Sequence, residues 1–317
     1  VVSGVTDMSG MFDSAISFNQ DISSWNVSNV TNMSYMFAGT PYFNQPLSGW
    51  NVSNVTNMQG MFSYRYVGGI LKKCIFNSYI GNWDVSKVTD MSHMFASNQS
   101  FNQNIGSWNV SGVTTMYDMF GNATSFNQPL NNWNVSNVTE MSVMFNNTTS
   151  FNQPLSGWNV SNVTNMQIMF DHATSFNQDL SNWCVSNIPT KPTGFDDGAT
   201  SWILSKPIWG ACNPFISVWR TTGYTESITL PYSPTGTYTG TIIWGDGNTD
   251  SNSYANRTHT YSTPGDYTVT INGLVQDFSF GQNYNPDNGK KIISVQQWGQ
   301  LSGNLFYGFN ECSNLTL

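Results

Sequence analysis

The sequence is poor in charge, since only 9% of its 317 residues are Asp, Glu, Lys or Arg, against about 25% in an ordinary soluble domain. Its net charge is −8, which argues against the basic footprint that duplex nucleic acid requires. No stretch approaches the roughly 20 consecutive apolar residues that cross a bilayer. Residues 1–4 lack the charged and apolar regions of a signal peptide. We therefore expect no nucleic-acid partner and no membrane-spanning segment in this region.

Signatures of catalysis and of metal binding are missing as well. The sequence contains no C-x-x-C pair, no G-x-S-x-G and no H-E-x-x-H, and its three histidines are far apart. Asp246, Asp250 and Asp266 offer oxygen ligands for calcium, but their W-G-D-G and P-G-D-Y settings favour tight turns. The sequence predicts no enzyme, no cofactor and no metal site.

What the sequence has in abundance is asparagine, with 40 residues, and aromatic side chains, at 15%. Both recur with a period of 25 residues, in units that read V-T-x-M-x-x-M-F-x-x-A-x-x-F-N-Q-x-L-x-x-W-N-V-S-N. The period is marked by seven tryptophans: Trp25, Trp50, Trp83, Trp108, Trp133, Trp158 and Trp183. A unit of this length is too short to close its own core, so the units must stack on one another.

Two spacings inside each unit predict its local structure. Leu47, Trp50 and Val52 suit a turn that runs into a short strand, whereas Val55 and Met58 begin the spacing of a short helix or 3₁₀ turn. Stacked units of this kind place a parallel sheet on one side and helical turns on the other. We therefore predict a leucine-rich-repeat solenoid over residues 1–188.

One unit carries an insertion at residues 63–75, and it holds three of the four basic residues that precede Lys191. These are Arg65, Lys72 and Lys73. With a row of asparagines on the predicted strand face, they form the candidate contact surface. The row comprises Asn51, Asn109, Asn134 and Asn159. A row of near-identical amides makes a poor specific pocket, but it suits weak binding of a repetitive polysaccharide.

The motif F-N-Q…W-N-V-S-N-V-T-N-M, repeated in register, resembles the BspA-type leucine-rich repeats of microbial and protist surface proteins. That resemblance implies an extracellular solenoid involved in adhesion and gives no biochemical activity. A second resemblance lies further along the chain, in Trp244-Gly245-Asp246-Gly247, in H-T-Y from His259 and in P-G-D-Y-T-V from Pro264. These residues are similar to a PKD-type domain, which implies an immunoglobulin-like spacer.

The remaining chain divides by composition. Prolines mark residues 189–213 as a cap and linker, and short strands separated by turn clusters predict a β-sandwich over residues 214–283. Residues 284–317 resemble the start of a second leucine-rich-repeat array. Because both ends of the sequence fall in mid-unit, we expect either a longer parent chain or end-to-end joining of units as a filament.

The last predictions concern the state of the cysteines and the role of the asparagines in N-x-S/T sites. Cys184 takes the place of the usual asparagine after tryptophan, and we expect it to form a disulfide with Cys212 in an oxidising compartment. Cys312 is expected to be buried and reduced, and the state of Cys74 is left open. Most asparagines of the sixteen N-x-S/T sites should be structural, hydrogen-bonding along the stack. Candidate N-glycosylation sites are Asn29, Asn54, Asn98, Asn122, Asn137, Asn162 and Asn256.

These features predict an extracellular structural protein, a modular segment of a fibre, filament or surface layer, without catalysis. Its partners would be further copies or neighbouring modules of the same long chain. The alternative is an adhesin that binds host or environmental glycans or surface proteins through the solenoid face. Its contacts would include exposed aromatic residues such as Tyr35 and Tyr117, or the basic insertion.

Overall fold

The computed structural model describes residues 2–280, 286–302, 309 and 312–316. The chain divides into two compact units. Unit 1 consists of Val1–Leu180 and Asn187–Trp209, and unit 2 consists of Ser181–Ser186 and Gly210–Leu317. Across the described residues, no helix combines the length and the apolar character needed to cross a membrane.

The prediction of a leucine-rich-repeat solenoid with a parallel sheet and helical turns is wrong. Residues 2–209 contain no helix, and their only strands are the antiparallel pair β1 (Arg65–Val67) and β2 (Ile70–Lys72). Successive repeats are joined in parallel at one residue each, by isolated bridges instead of a sheet. The bridged residues are Asp7, Asn32, Asn57, Asp90, Thr115, Glu140 and Asn165.

The physical reason lies in the segment between the two methionines of each repeat. Met11 N–H donates to Met8 O, and Asp13 N–H donates to Gly10 O, so the chain makes successive turns instead of a 3₁₀ helix. The residue before the second methionine has a left-handed φ of 53–63° in every repeat. These residues, which we call the left-handed column, are Gly10, Tyr35, Gly60, His93, Asp118, Val143 and Ile168. Left-handed backbone fits neither a pleated strand nor a right-handed helix.

Consecutive repeats nevertheless stack in register through backbone hydrogen bonds. Alternate N–H groups of one repeat donate to carbonyls of the next, as Met8 does to Asn32 O at 2.9 Å. Fewer bonds run the other way, as from Thr31 N–H to Thr6 O at 2.8 Å. The forward bonds recur at every junction, and the last ones end on carbonyls within residues 193–197. Many backbone N–H and C=O groups of the turns therefore find their hydrogen-bond partners in the neighbouring repeat.

Aromatic columns fill the interior of unit 1. One column places successive ring centroids 5.5–5.8 Å apart and contains Phe12, Phe37, Phe62, Phe95, Phe120, Phe145 and Phe170. Trp133 and Trp158 lie 6.5 Å apart with planes 1° from parallel, and both are buried. The indole N–H of Trp133 donates to Ile105 O of the preceding repeat at 3.1 Å. Hydrophobic burial and indole hydrogen bonds thus hold the repeats together.

Unit 2 is built mainly of antiparallel strands. Its elements are β3 (Phe215–Thr221), β4 (Glu226–Thr229), β5 (Thr241–Ile243), β6 (Thr249–Ser251), β7 (Thr258–Tyr261), β8 (Gly265–Asn272), β9 (Leu274–Gln276), α1 (Pro286–Gly289), β10 (Ile292–Trp298) and β11 (Gln300–Ser302). Five strands form a sheet in the order β10-β3-β8-β5-β6. The pair β4-β7 is antiparallel, and the pair β11-β9 is parallel.

One apolar core serves the sheets of unit 2, and it includes the buried side chains of Trp219, Trp244 and Tyr261. β10 pairs antiparallel with β3 and places Ile292 opposite Trp219. Within the described part of residues 284–317, β10 therefore joins the five-stranded sheet and β11 pairs with β9, and no second leucine-rich-repeat array is shown there. The physical reason is that Ile292 completes a core which β3 already lines. The similarity to a PKD-type domain stays a prediction.

The cysteines fall into two groups. Cys184 and Cys212, the pair chosen from the sequence, form a disulfide within unit 2. Cys74 is free and buried, and its desolvation raises the pKa of the thiol to about 11. Cys312, which was expected to be buried, is half-buried. A thiol as deeply buried as that of Cys74 is unreactive in the folded protein.

Candidate functional site

The insertion at residues 63–75 interrupts the uniform surface of unit 1 with a β-hairpin. Arg65 lies opposite Lys72, and Val67 lies opposite Ile70. The two residues of the turn, Gly68–Gly69, both have left-handed backbone, with φ of 57° and 77°. Two left-handed residues are what a tight two-residue hairpin turn requires, and glycine adopts them without steric cost.

Beneath this hairpin lies a cleft of about 200 Å³, which we call the hairpin cleft. It is lined by Tyr35, Ser63, Tyr64, Arg65, Tyr66 and His93. Tyr66 is 67% exposed, and its ring meets the ring of Tyr64 edge to face, with centroids 6.0 Å apart. The cleft therefore offers aromatic surface that the fold itself does not bury.

Arg65 is fixed on one side of the hairpin cleft. Its Nε donates to both carboxylate oxygens of Asp13, at 3.0 and 2.9 Å, and its guanidinium carbon lies 4.0 Å from the ring centroid of Tyr35. Tyr35 in turn lies flat over Gly60, where an added Cβ would approach the ring to 2.3 Å. Glycine at that position is therefore needed for Tyr35 to support Arg65.

The other side of the cleft is set by His93, a member of the left-handed column. Its Nδ1 lies 2.8 Å from Oδ2 of Asp118 in the next repeat, and the ring of Tyr117 meets the imidazole edge to face. Burial raises the pKa of the Tyr64 hydroxyl, and the nearby Asp118 carboxylate raises it further. Arg65 and His93, on the two sides of the cleft, thus each contact a carboxylate of another repeat.

The predicted contact surface is not brought together as one site. The side-chain oxygens of Asn51, Asn109, Asn134 and Asn159 accept from the N–H two residues later, at 3.1–3.2 Å. These asparagines stabilise turns and lie outside the residues that line the hairpin cleft. Arg65 lines the cleft, Lys72 is its hairpin partner, and Lys73 follows β2.

The candidate glycosylation sites differ in their surroundings. In a first group, each side-chain N–H donates to a serine carbonyl of the preceding repeat at 2.7–2.8 Å. This group comprises Asn29, Asn54, Asn137 and Asn162. Asn98 is fully buried and donates to Phe76 O, so the folded chain has no room for a glycan there. Asn122 and Asn256 are half-buried. Glycosylation at the accessible positions stays a prediction.

An asparagine ladder that sequence reasoning missed runs through the F-N-Q motif. Oδ1 of Asn102 accepts from Asn127 N–H at 3.0 Å and from Gln128 Nε2 at 2.9 Å, and equivalent contacts join the other repeats. The motif itself was the available signal, because it places an amide pair at the same position of every unit. The 25-residue period was likewise the available signal for the contact of His93 with Asp118, because it places the two residues at the same position of consecutive units.

A second hollow of about 390 Å³ lies elsewhere on unit 1. Its lining is Tyr79, Asn104, Gly106, Ser107, Pro129, Asn131 and Asn132. Apart from the exposed Tyr79 these are turn residues, and the side-chain oxygens of Asn104 and Asn131 accept from Gly106 and Gly157 N–H. The hairpin cleft is the stronger candidate, because it combines aromatic and charged side chains and Tyr64, Arg65 and Tyr66 come from the insertion instead of the repeated unit.

The carboxylates considered as calcium ligands have other partners. Asp246 lies 2.8 Å from His259 Nε2, Asp250 accepts from Trp244 Nε1, and Asp266 pairs with Arg220. Within the described part of the chain, no group of three or more His, Cys, Asp or Glu is arranged to hold a metal ion. The conformation of these side chains is explained by the contacts that they make within unit 2.

Comparison with known proteins gives one match. The family model described as "Mycoplasma protein of unknown function, DUF285" matches residues 1–67, 69–141 and 128–202, which is more than half of the chain. No curated protein and no solved structure matches the sequence. The matched region covers the repeats and includes every residue of the hairpin cleft.

Proposed function

The chain belongs to the DUF285 family, and we propose that it is an extracellular structural protein, a load-bearing segment of a fibre or surface layer. The observation that supports this role is that consecutive repeats of unit 1 are joined by the same set of contacts along the stack. Every repeat donates forward backbone hydrogen bonds and contributes to the phenylalanine column, up to residues 193–197. When a uniform stack is pulled along its length, every junction carries the force through an equivalent set of contacts, so no single junction is much weaker than the rest.

Two further features support an extracellular location. The Cys184–Cys212 disulfide is the kind of cross-link that persists in oxidising compartments. The surface obtains its polarity from neutral amides and hydroxyls instead of charge, with 9% charged residues. The kinship with BspA-type surface proteins stays part of this proposal.

The mechanical role is tested by pulling single molecules from both termini. We expect stepwise lengthening, with steps of roughly 80–90 Å, because each released repeat frees 25 residues at about 3.5 Å each. The control is Trp133→Ala, which should lower the force of the steps by weakening one junction. A featureless extension at low force would contradict the mechanical role.

The location is tested on intact source cells. An antibody against unit 2 should label the protein without permeabilisation, and added protease should remove the label. Labelling that appears only after lysis would rule out the surface location. Electron microscopy of the native material should show fibres or a regular layer, whereas dispersed particles would favour the second role.

That second role is recognition, as an adhesin that acts through the hairpin cleft. The observation in its favour is the exposed Tyr66 above a cleft that is lined in part by the insertion, which interrupts one of the seven repeats. An exposed aromatic side chain over a preformed cleft is a common feature of binding sites. Recognition and load bearing are compatible, because the cleft involves a surface hairpin and not the junctions of the core.

A further inference from the structure

We infer that the hairpin cleft binds one ring of an uncharged saccharide. This inference rests on the second proposed role, recognition, and names the ligand class for that site. It does not depend on the structural role of the stack.

The size and the walls of the cleft fit a single ring. Its volume of about 200 Å³ is below the roughly 300 Å³ at which pockets for drug-sized ligands begin. Tyr35, Tyr64 and Tyr66 supply aromatic surface around it. The face of an aromatic ring is electron-rich and attracts polarised C–H groups, and a sugar ring presents such a C–H face.

The charges of the cleft favour a neutral ligand. Arg65 is neutralised by both oxygens of Asp13, and His93 is paired with Asp118. An acidic saccharide would have to displace Asp13 from Arg65 before it gained an ion pair. A neutral saccharide needs no such exchange, because hydroxyl groups can bind while both pairs stay intact.

Hydrogen-bonding groups remain for the hydroxyls of the ligand. The contact of His93 Nδ1 with Asp118 orients the imidazole in the wall of the cleft and leaves Nε2 as its second hydrogen-bonding atom. Only Nε of Arg65 is used by Asp13, so the terminal groups of the guanidinium are donors for a ligand. The tyrosine hydroxyls both donate and accept. Such a mixture of donors, acceptors and aromatic faces matches a polyhydroxylated ring.

The test titrates the full chain with neutral hexasaccharides, namely maltohexaose, cellohexaose, mannohexaose and chitohexaose, and with sulfated maltohexaose. Tyr66→Ala removes an exposed ring and should fold normally. The control is Tyr42→Ala, at a tyrosine that is 63% exposed and does not line the cleft. Binding is measured by calorimetry and by saturation-transfer NMR, and folding is checked by circular dichroism.

We expect at least one neutral hexasaccharide to bind with a Kd no weaker than about 10 mM. Tyr66→Ala should weaken that binding by roughly tenfold, Tyr66→Phe should keep most of it, and Tyr42→Ala should leave it unchanged. The inference is overturned if no neutral probe binds, if only the sulfated probe binds, or if Tyr66→Ala binds like the parent. Positive surface labelling and pulling data alongside such a result would leave the structural role standing.

Discussion

Nε of Arg65 donates to both carboxylate oxygens of Asp13, although 52 residues separate the two in the sequence. The pair ties the insertion hairpin to the first repeat across the repeat between them. Because both side chains are about 30% exposed, the pair positions the hairpin more than it stabilises the fold.

The first prediction concerns this pair. Asp13→Asn should change the free energy of unfolding by less than about 1 kcal/mol, because partly exposed ion pairs contribute little. The hairpin should loosen, so that trypsin cleaves faster after Lys72 and Lys73. Asp21→Asn, at an exposed carboxylate in a local turn with Ser23, serves as control. Equal cleavage rates in the parent and in Asp13→Asn would show that the pair does not hold the hairpin.

The second prediction concerns the indole hydrogen bonds between repeats. Trp133→Phe keeps an aromatic ring but removes one of the two hydrogen bonds that Ile105 O accepts, the other coming from Trp108 N–H, so we expect a loss of about 0.5–1.5 kcal/mol in the free energy of unfolding. Urea denaturation measures it. Tyr79→Phe, which removes one polar atom from a side chain that is 54% exposed, should have little effect. A neutral result for Trp133→Phe would mean that the indole contributes by packing alone.

The third prediction uses the strain of the left-handed column. Val143 is β-branched and has a φ of 63°, a conformation that is unfavourable for such a side chain. Val143→Gly should therefore raise the free energy of unfolding by about 0.5–1 kcal/mol, after the entropic cost of glycine is subtracted. Val143→Ala keeps the strain and serves as control. A less stable Val143→Gly variant would contradict the expectation and show that packing of the valine outweighs its strain.

The fourth prediction concerns pH and unit 2. Burial by itself would raise the pKa of Glu226, but hydrogen bonds from Lys291 and from the N–H groups of Gly223 and Thr222 outweigh it and lower the pKa from 4.5 to about 2. The folded state thus binds the proton more weakly than the unfolded state. The stabilisation is complete above about pH 5 and is lost as the pH falls toward 2.

Glu226→Gln should be less stable than the parent at pH 7, and the difference should shrink steadily between about pH 5 and pH 2. Unfolding by urea, followed through a fluorescence signal of unit 2 at several pH values, measures the effect. If the stability difference stayed constant over that interval, Glu226 would not be the titrating group.

The sequence predicted which residues of unit 1 are buried, but not the backbone that buries them. The period of 25 residues located the tryptophan, methionine and phenylalanine columns, because only stacking could bury them. It did not reveal that the residue before the second methionine is left-handed, since Val143 and Ile168 occupy that position as readily as Gly10. The left-handed backbone replaces the predicted sheet and helical turns with successive turns.

The hairpin cleft was only partly foreseeable. The insertion and its basic residues are visible in the sequence, and Tyr35 was one of the exposed aromatics considered. The contact of His93 with Asp118 follows from the 25-residue period, which places both at the same position of consecutive repeats. The pairing of Arg65 with Asp13 depends on how the insertion folds, which periodicity alone does not give. Each side chain of the asparagine row binds its own turn, and the role of this row as a contact surface stays a prediction.

The hydrogen bonds between repeats give unit 1 an electrical direction. At the junctions between repeats more backbone N–H groups point forward than back, so the peptide dipoles do not cancel. The partial charge is positive toward residues 193–197, where Asp196 and Asp197 place carboxylates, and negative toward Asp7. Two such stacks lying side by side would repel when aligned and attract when opposed, so lateral packing of this unit favours antiparallel neighbours.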